Sequence, residues 1–112
     1  MPKLIEWLKE QGLEGVMMTH SDHYLFEILP AGAGKERALR RLCDFAGFPM
    51  DKVIAMGDYH NDVGMVRAAG FGAAPENACE ELKEAADLIT VSNEQDAVAE
   101  LIEYIIAHPD IL

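Results

Sequence analysis

Asp58, Asn61 and Asp62 are the residues whose types and spacing could do chemistry. They follow the run Val53-Ile54-Ala55-Met56-Gly57 and are interleaved with Tyr59 and His60. Two carboxylates and an amide within five residues suit a hard cation such as Mg2+, which takes oxygen ligands and often bridges to a phosphate. Four apolar residues in a row suit a strand buried on both faces of a parallel sheet. Gly57 allows a sharp turn at its end. Asp58 then lies just past the carboxyl end of the strand, the edge at which open α/β sheets bind ligands. Asn61 and Asp62 open the next helical pattern, where Asn61 is a candidate cap and the helix N-terminus favours an anion. The same residues also read as ordinary punctuation, since Gly-Asp after a strand and Asn-Asp at a helix start are common turns.

Lys35 opens a helix after the linker Pro30-Ala31-Gly32-Ala33-Gly34 and can place its ammonium beside a phosphate at the strand ends; a solvated surface lysine is the alternative. The linker is not a P-loop, because the Gly-to-Gly-Lys spacing is wrong and Glu36 follows Lys35. Asn77, in the loop Pro75-Glu76-Asn77, could reach a ligand at the same sheet edge or simply cap the next helix. His60, inside the acidic turn, could face a substrate or water. His20, His23, His60 and His108 do not form a zinc spacing, and no Ser-His-Asp or Cys-His nucleophile arrangement is present.

The elements that must position these residues follow from periodicity. A helix is expected over residues 3 to 11, stopped by Gly12. Strands are expected at 15 to 19 and 24 to 29 as an antiparallel pair, joined by a turn at His20-Ser21-Asp22. After the linker a helix is expected over 35 to 46 with Ala38, Leu39, Leu42 and Phe45 inward. A strand at 53 to 56, a helix at 61 to 69, a strand at 70 to 74, a helix at 78 to 86 and a strand at 88 to 91 come next. The last helix, 95 to 107, carries Val98, Leu101, Ile102, Ile105 and Ile106 on one face. Alternating strands and helices with short loops predict an α/β fold with a parallel sheet covered by helices. A smaller α+β piece precedes it, and residue 30 divides the two.

With 112 residues, half of them hydrophobic, the chain is long enough for one packed domain. Its net charge of -11 argues against nucleic acid or an anionic membrane as a partner. No run approaches the about 20 apolar residues of a membrane span, and residues 1 to 6 lack a signal-like apolar core. Cys43 and Cys79 lie far apart and read as reduced thiols in a cytoplasmic protein.

Taken in order, the motifs resemble one family. They are Lys35, then Val53 through Asp62, Met65, Ala69-Gly70-Phe71-Gly72, Asn77-Ala78, Ala85-Ala86-Asp87-Leu88-Ile89-Thr90 and Asn93-Glu94-Gln95-Asp96. The set is similar to the C-terminal half of a haloacid dehalogenase (HAD) superfamily phosphatase, nearest the Cof-type branch acting on sugar phosphates and other small phosphomonoesters. The resemblance implies a partial HAD-like Rossmannoid core of three parallel strands over 31 to 112, preceded at 1 to 30 by a remnant of the α+β cap that covers the site. It implies that Lys35 neutralises the transferring phosphoryl group, Asp58 ligates Mg2+, Asp62 supports the metal, and Asn61 contacts phosphate or substrate, while the position of Asn77 at the same edge makes it a further substrate-binding candidate.

One departure outweighs these matches. The family nucleophile is an aspartate in an Asp-x-Asp motif, and no Asp-x-Asp occurs in this sequence; the Ser/Thr phosphate motif is missing too. Ala97, where glycine is usual, and Ala33-Gly34 before Lys35 are smaller departures. The expectation is a C-terminal fragment that binds Mg2+ weakly and turns over no phosphate ester alone. A non-catalytic phosphate-ligand or partner-binding remnant, and one half of a split enzyme, are the alternatives. The strand at 53 to 56 should be an unpaired apolar edge, so self-association, as a homodimer through this edge or the cap strands, is expected.

Overall fold

The computed structural model describes residues 2–112. Its first unit comprises helix α1 (Pro2–Glu10) and strands β1 (Val16–Asp22) and β2 (Leu25–Pro30). β1 and β2 pair antiparallel, with Val16 opposite Pro30 and His20 opposite Phe26. The strand runs through His20, Ser21 and Asp22, where a turn was expected, and the turn is His23-Tyr24 instead. A register irregularity between His20 and Asp22 explains the difference: one extra residue extends the strand and re-aims the side chains at its end.

The second unit holds a three-stranded parallel sheet in the order β3 (Ile54–Met56), β4 (Phe71–Pro75), β5 (Leu88–Thr90). Ile54 pairs with Phe71, and Ala73 with Leu88. Helix α3 (Val63–Ala68) connects β3 to β4, and α4 (Glu80–Ala85) connects β4 to β5. Both crossovers run in the same direction along the sheet, and both helices lie on one face, where they touch each other. The core forms between them and the sheet, from Ala55, Val63, Val66, Ala74, Ala78 and Leu82. Small residues in β4 permit the close approach. A Cβ on Gly72 would fall 2.6 Å from Val66 Cγ1 and 2.8 Å from its carbonyl oxygen. Gly70 is tighter still, since its Cβ would meet the Asp51 carbonyl oxygen at 2.0 Å.

Helix α2 (Lys35–Ala46) precedes the sheet and packs on α3, and α5 (Ala97–Ala107) follows β5. Several residues expected inward face outward. On α2 the buried residue is Cys43, while Leu42 is 60% and Phe45 91% exposed. On α5, Ala97 and Leu101 are buried, whereas Val98, Ile102 and Ile106 are exposed. Each helix has an apolar stripe broader than the surface this chain offers it, so only the half facing α3 or the sheet is covered. α1 buries no residue, and Leu4 and Trp7 stand in solvent. Among the described residues β3 has β4 on one side and no strand on the other, the open edge that the family resemblance implies for it. Among the described residues no helix is long and apolar enough to cross a membrane.

Candidate active site

The site is assembled at the carboxyl ends of the strands. After Met56 the chain passes Gly57 and Asp58 and enters a short 3-10 turn, His60–Asp62, before α3 begins at Val63. This differs from the helix expected from residue 61: the Asp62 N–H bonds to the Tyr59 carbonyl at 3.0 Å, a tighter winding than an α-helix allows. The tight turn folds Asp62 back over Gly57. A Cβ on Gly57 would lie 2.3 Å from Asp62 Cβ, so only glycine admits this arrangement.

Asp62 is 4% exposed and both its oxygens are used. Lys35 Nζ donates to Oδ1, and the Asp58 backbone N–H donates to Oδ2 at 3.0 Å. The carboxylate therefore joins the first turn of α2 to the exit of β3. Charge-assisted bonds of this kind are about twice as strong as neutral ones, and here one partner is shielded from water. Lys35 starts its helix without a side-chain cap, from Gly34 in extended conformation. Its ammonium remains half in solvent, with the side chain 53% exposed.

Beside this group lies a cavity of about 310 Å³, lined by Lys35, Asp58, Asp62, Met65, Asn93 and Val98 among others. Its lining combines the charged Lys35, Asp58 and Asp62 and the polar Asn93 with apolar residues such as Met65 and Val98. A phosphate-sized anion can meet the ammonium there. The two carboxylates nearby then require a cation or a proton to offset repulsion.

The predicted residues are not all in one place. Lys35, Asp58 and Asp62 come together. Asn61 lies in a neighbouring space under the hairpin, with Thr19, Glu27 and Lys35, and makes no capping bond. Asn77 lies on another side of Asp58, and its Oδ1 accepts from the Asn93 N–H at 2.9 Å. It braces the loop after β5 rather than capping α4, whose N-cap is Cys79. His60 Nδ1 lies 3.0 Å from Glu81 Oε2. Sequence reasoning missed the pairing of Tyr59 with His23, whose Oη and Nδ1 are 3.1 Å apart. These residues are 36 positions apart, and no local signal joins them.

The donor set does not complete a Mg2+ site. Among the described residues no group of three or more His, Cys, Asp or Glu side chains is placed to hold a metal ion. Each Asp62 oxygen already accepts one hydrogen bond, while Asp58 lines both adjoining cavities.

A family model of the haloacid dehalogenase-like hydrolases matches residues 1–102. The chain belongs to this family. Among curated relatives, the 5-amino-6-(5-phospho-D-ribitylamino)uracil phosphatase YwtE of Bacillus subtilis is 42% identical over 89 residues, which is 80% of this chain and 31% of that protein. The phosphoglycolate phosphatase of Archaeoglobus fulgidus is 36% identical over 103 residues, covering 92% and 43%. A haloacid dehalogenase-like hydrolase of known structure from B. subtilis superposes with a TM-score of 0.83 at 32% identity, over 91% of this chain and 36% of that one. This HAD-like chain thus spans about a third to two-fifths of the length of these relatives. Its parallel sheet with flanking helices is the HAD-like fold.

Proposed function

We propose that this chain carries the lysine and acidic-turn half of a phosphomonoester hydrolase site that acts on small phosphorylated metabolites such as sugar phosphates. The observation that supports it most directly is the Asp62 carboxylate held between Lys35 and the Asp58 N–H at the sheet's carboxyl edge. In this reading Lys35 meets the phosphate oxygens and offsets charge as the ester bond breaks. Asp62 keeps the ammonium in place. Asp58 offers a carboxylate to Mg2+, whose affinity is weak because the ion binds through few protein ligands and those of the Asp-x-Asp motif are missing from these residues. Mg2+, when bound, would supply further positive charge against the phosphate. Residues 1–30 act as a cap over this edge and 31–112 as the core beneath it. The absence of Asp-x-Asp from these 112 residues leaves them without an attacking carboxylate, so we expect no turnover from them alone.

A second reading, ligand binding without catalysis by a separate module, rests on the same absence. Self-association belongs to either reading. The open edge of β3 and the exposed Leu42 and Phe45 favour a homodimer. The two free thiols, Cys43 and Cys79, fit a cytoplasmic setting.

The test has two arms. Phosphate release from a generic phosphomonoester is measured with and without Mg2+, for the chain and for Asp58→Ala. Binding of inorganic phosphate is measured by NMR for the chain and for Lys35→Met. No turnover, with phosphate binding that Lys35→Met weakens tenfold or more, is expected. Mg2+-dependent turnover lost in Asp58→Ala would overturn the inactivity. Phosphate binding indifferent to Lys35→Met would overturn the site.

A further inference from the structure

The cavity beside Lys35 is short of hydrogen-bond donors. Among its lining residues Lys35 and Asn93 alone carry side-chain N–H groups; Asp58 and Asp62 are acceptors, and the others offer no polar side chain. A phosphate presents several acceptor oxygens, and the ammonium already gives one of its N–H groups to Asp62. We infer that Asn93 is the second donor to an oxyanion in this cavity, and that Asn77, a substrate-binding candidate in the sequence, is instead the positioning residue that holds Asn93 there. This inference rests on the phosphate site proposed above and adds two residues to it.

The bond between the two asparagines has a local cause. Asn93 opens a 3-10 turn, Asn93–Gln95, so its N–H has no acceptor within the turn. Ser92, the N-cap, makes no side-chain bond to the turn. Asn77 Oδ1 supplies the acceptor from another loop, at 2.9 Å. That bond uses the main chain of Asn93 and leaves its side-chain amide to the cavity.

The loop that carries Asn77 reaches both walls of the site. The Cys79 N–H donates to the Asp58 carbonyl at 3.1 Å, and the Glu76 N–H donates to the Thr90 carbonyl at 2.9 Å. Asn77 lies between these anchors, so the acidic turn and the chain leaving β5 are tied to one short segment.

The chain leaving β5 is also pinned on either side of Asn93. The Val91 N–H donates to Glu100 Oε2 at 2.7 Å, which draws the first part of α5 back to the strand end. Asp96 takes a φ of 61°, the one left-handed non-glycine residue among the described residues. A residue with a Cβ is disfavoured there and persists where the surrounding contacts dictate it. Asn93 therefore sits in a segment with little freedom, and Asn77 fixes its middle. A donor held in this way binds an anion without first having to be ordered.

The experiment is an NMR titration with inorganic phosphate of the isotope-labelled chain and of Lys35→Met, Asn93→Ala, Asn77→Ala and the double variant Asn77→Ala with Asn93→Ala. Urea unfolding of each accompanies it. In the unmodified chain phosphate should shift the side-chain NH2 signals of Asn93. Asn93→Ala should weaken phosphate about fivefold, the size of one hydrogen bond in a site open to water. Asn77→Ala should move the Asn93 main-chain amide signal and weaken phosphate about threefold, since part of that bond survives in a looser loop. In the Asn93→Ala background the Asn77 substitution should cost nothing further, a result that general damage to the fold would not give. Both side chains are exposed, so folded variants are expected. Should Asn77→Ala fail to fold, Asn77→Ser, whose side chain falls short of the Asn93 N–H, takes its place in the cycle.

Phosphate binding that Lys35→Met weakens and Asn93→Ala leaves unchanged would put the anion on the Asn61 side of Lys35; the phosphate site then stands and this inference falls. An Asn77→Ala cost that is the same with and without Asn93 overturns the positioning role. Binding that Asn93→Ala weakens while Lys35→Met does not would uphold the Asn93 donor and overturn the lysine site. If phosphate shifts signals near neither residue, both fall.

Discussion

Gly57→Ala isolates the geometry that makes the site. The added Cβ would stand 2.3 Å from Asp62 Cβ, 2.6 Å from Cγ and 2.7 Å from Oδ2. Carbon atoms rest at about 3.5–4.0 Å, so the shortfall exceeds about 1 Å. Asp62 Cβ is fixed to the backbone of the 3-10 turn, and no rotamer change carries it away. The turn itself must shift. Forced overpacking of this kind costs about 1–3 kcal/mol. For a domain of this size about 2 kcal/mol corresponds to roughly 8 °C in Tm. The displacement also draws the carboxylate from Lys35 and from the Asp58 N–H, so phosphate binding should fall together with stability. Gly64→Ala serves as the control: its Cβ would meet only the Glu36 side chain, at 3.4 Å, within α3. Alanine gains about 0.5–1 kcal/mol over glycine inside a helix, so this variant should be neutral or more stable. Thermal and urea unfolding of both, with phosphate titrations by NMR, read the outcome. A Gly57→Ala protein with native Tm and native phosphate affinity would refute the steric account of the turn.

Other outcomes follow from the same coordinates. Gly70→Ala, whose Cβ would collide with the Asp51 carbonyl oxygen at 2.0 Å, should lower stability by about 2 kcal/mol or more in urea unfolding, because backbone must move. Leu82→Ala, at a fully buried core position, should cost about 2–5 kcal/mol by the same measurement. Leu42→Glu with Phe45→Glu, both outside the core, should change stability by no more than about 0.5 kcal/mol per site. Light scattering should show that this double variant loses self-association; persistence of the dimer would exclude that face. Cys79, partly exposed, should react with a thiol reagent faster than buried Cys43, giving two labelling phases in the native protein.

The parallel sheet was legible because its signals are local. Short apolar runs ending in Gly-Asp or a small-residue loop mark β3, β4 and β5, and the helices between them show clear periodicity. Lys35, Asp58 and Asp62 were legible because two share one turn and the third opens a helix after a glycine linker. The interior of α2 was not legible. Periodicity identifies an apolar stripe, but which half is covered depends on what the rest of the chain brings, and here only Cys43 is buried on that helix. The end of β1 was misjudged because Ser and Asp favour turns, while the irregular register lets them continue the strand. Asn61 and Asn77 share the neighbourhood of the site but face different spaces, a distinction set by the 3-10 turn and by the Asn93 loop. The link between His23 and Tyr59 is purely tertiary.

The bond between Lys35 and Asp62 also bears on how the site would take up a ligand. The ammonium already has an anion attached to the protein itself. An arriving phosphate must therefore share or displace an internal competitor whose effective concentration is fixed by the fold. The measured affinity is the difference between two ion pairs, and a weak apparent grip is compatible with a strong intrinsic one. A charge-free replacement of Asp62 would remove the rival and leave the Asp58 N–H without its acceptor. If Lys35 binds phosphate as proposed, the same carboxylate acts as anchor and as rival: it places the lysine for its ligand and sets the threshold the ligand must exceed.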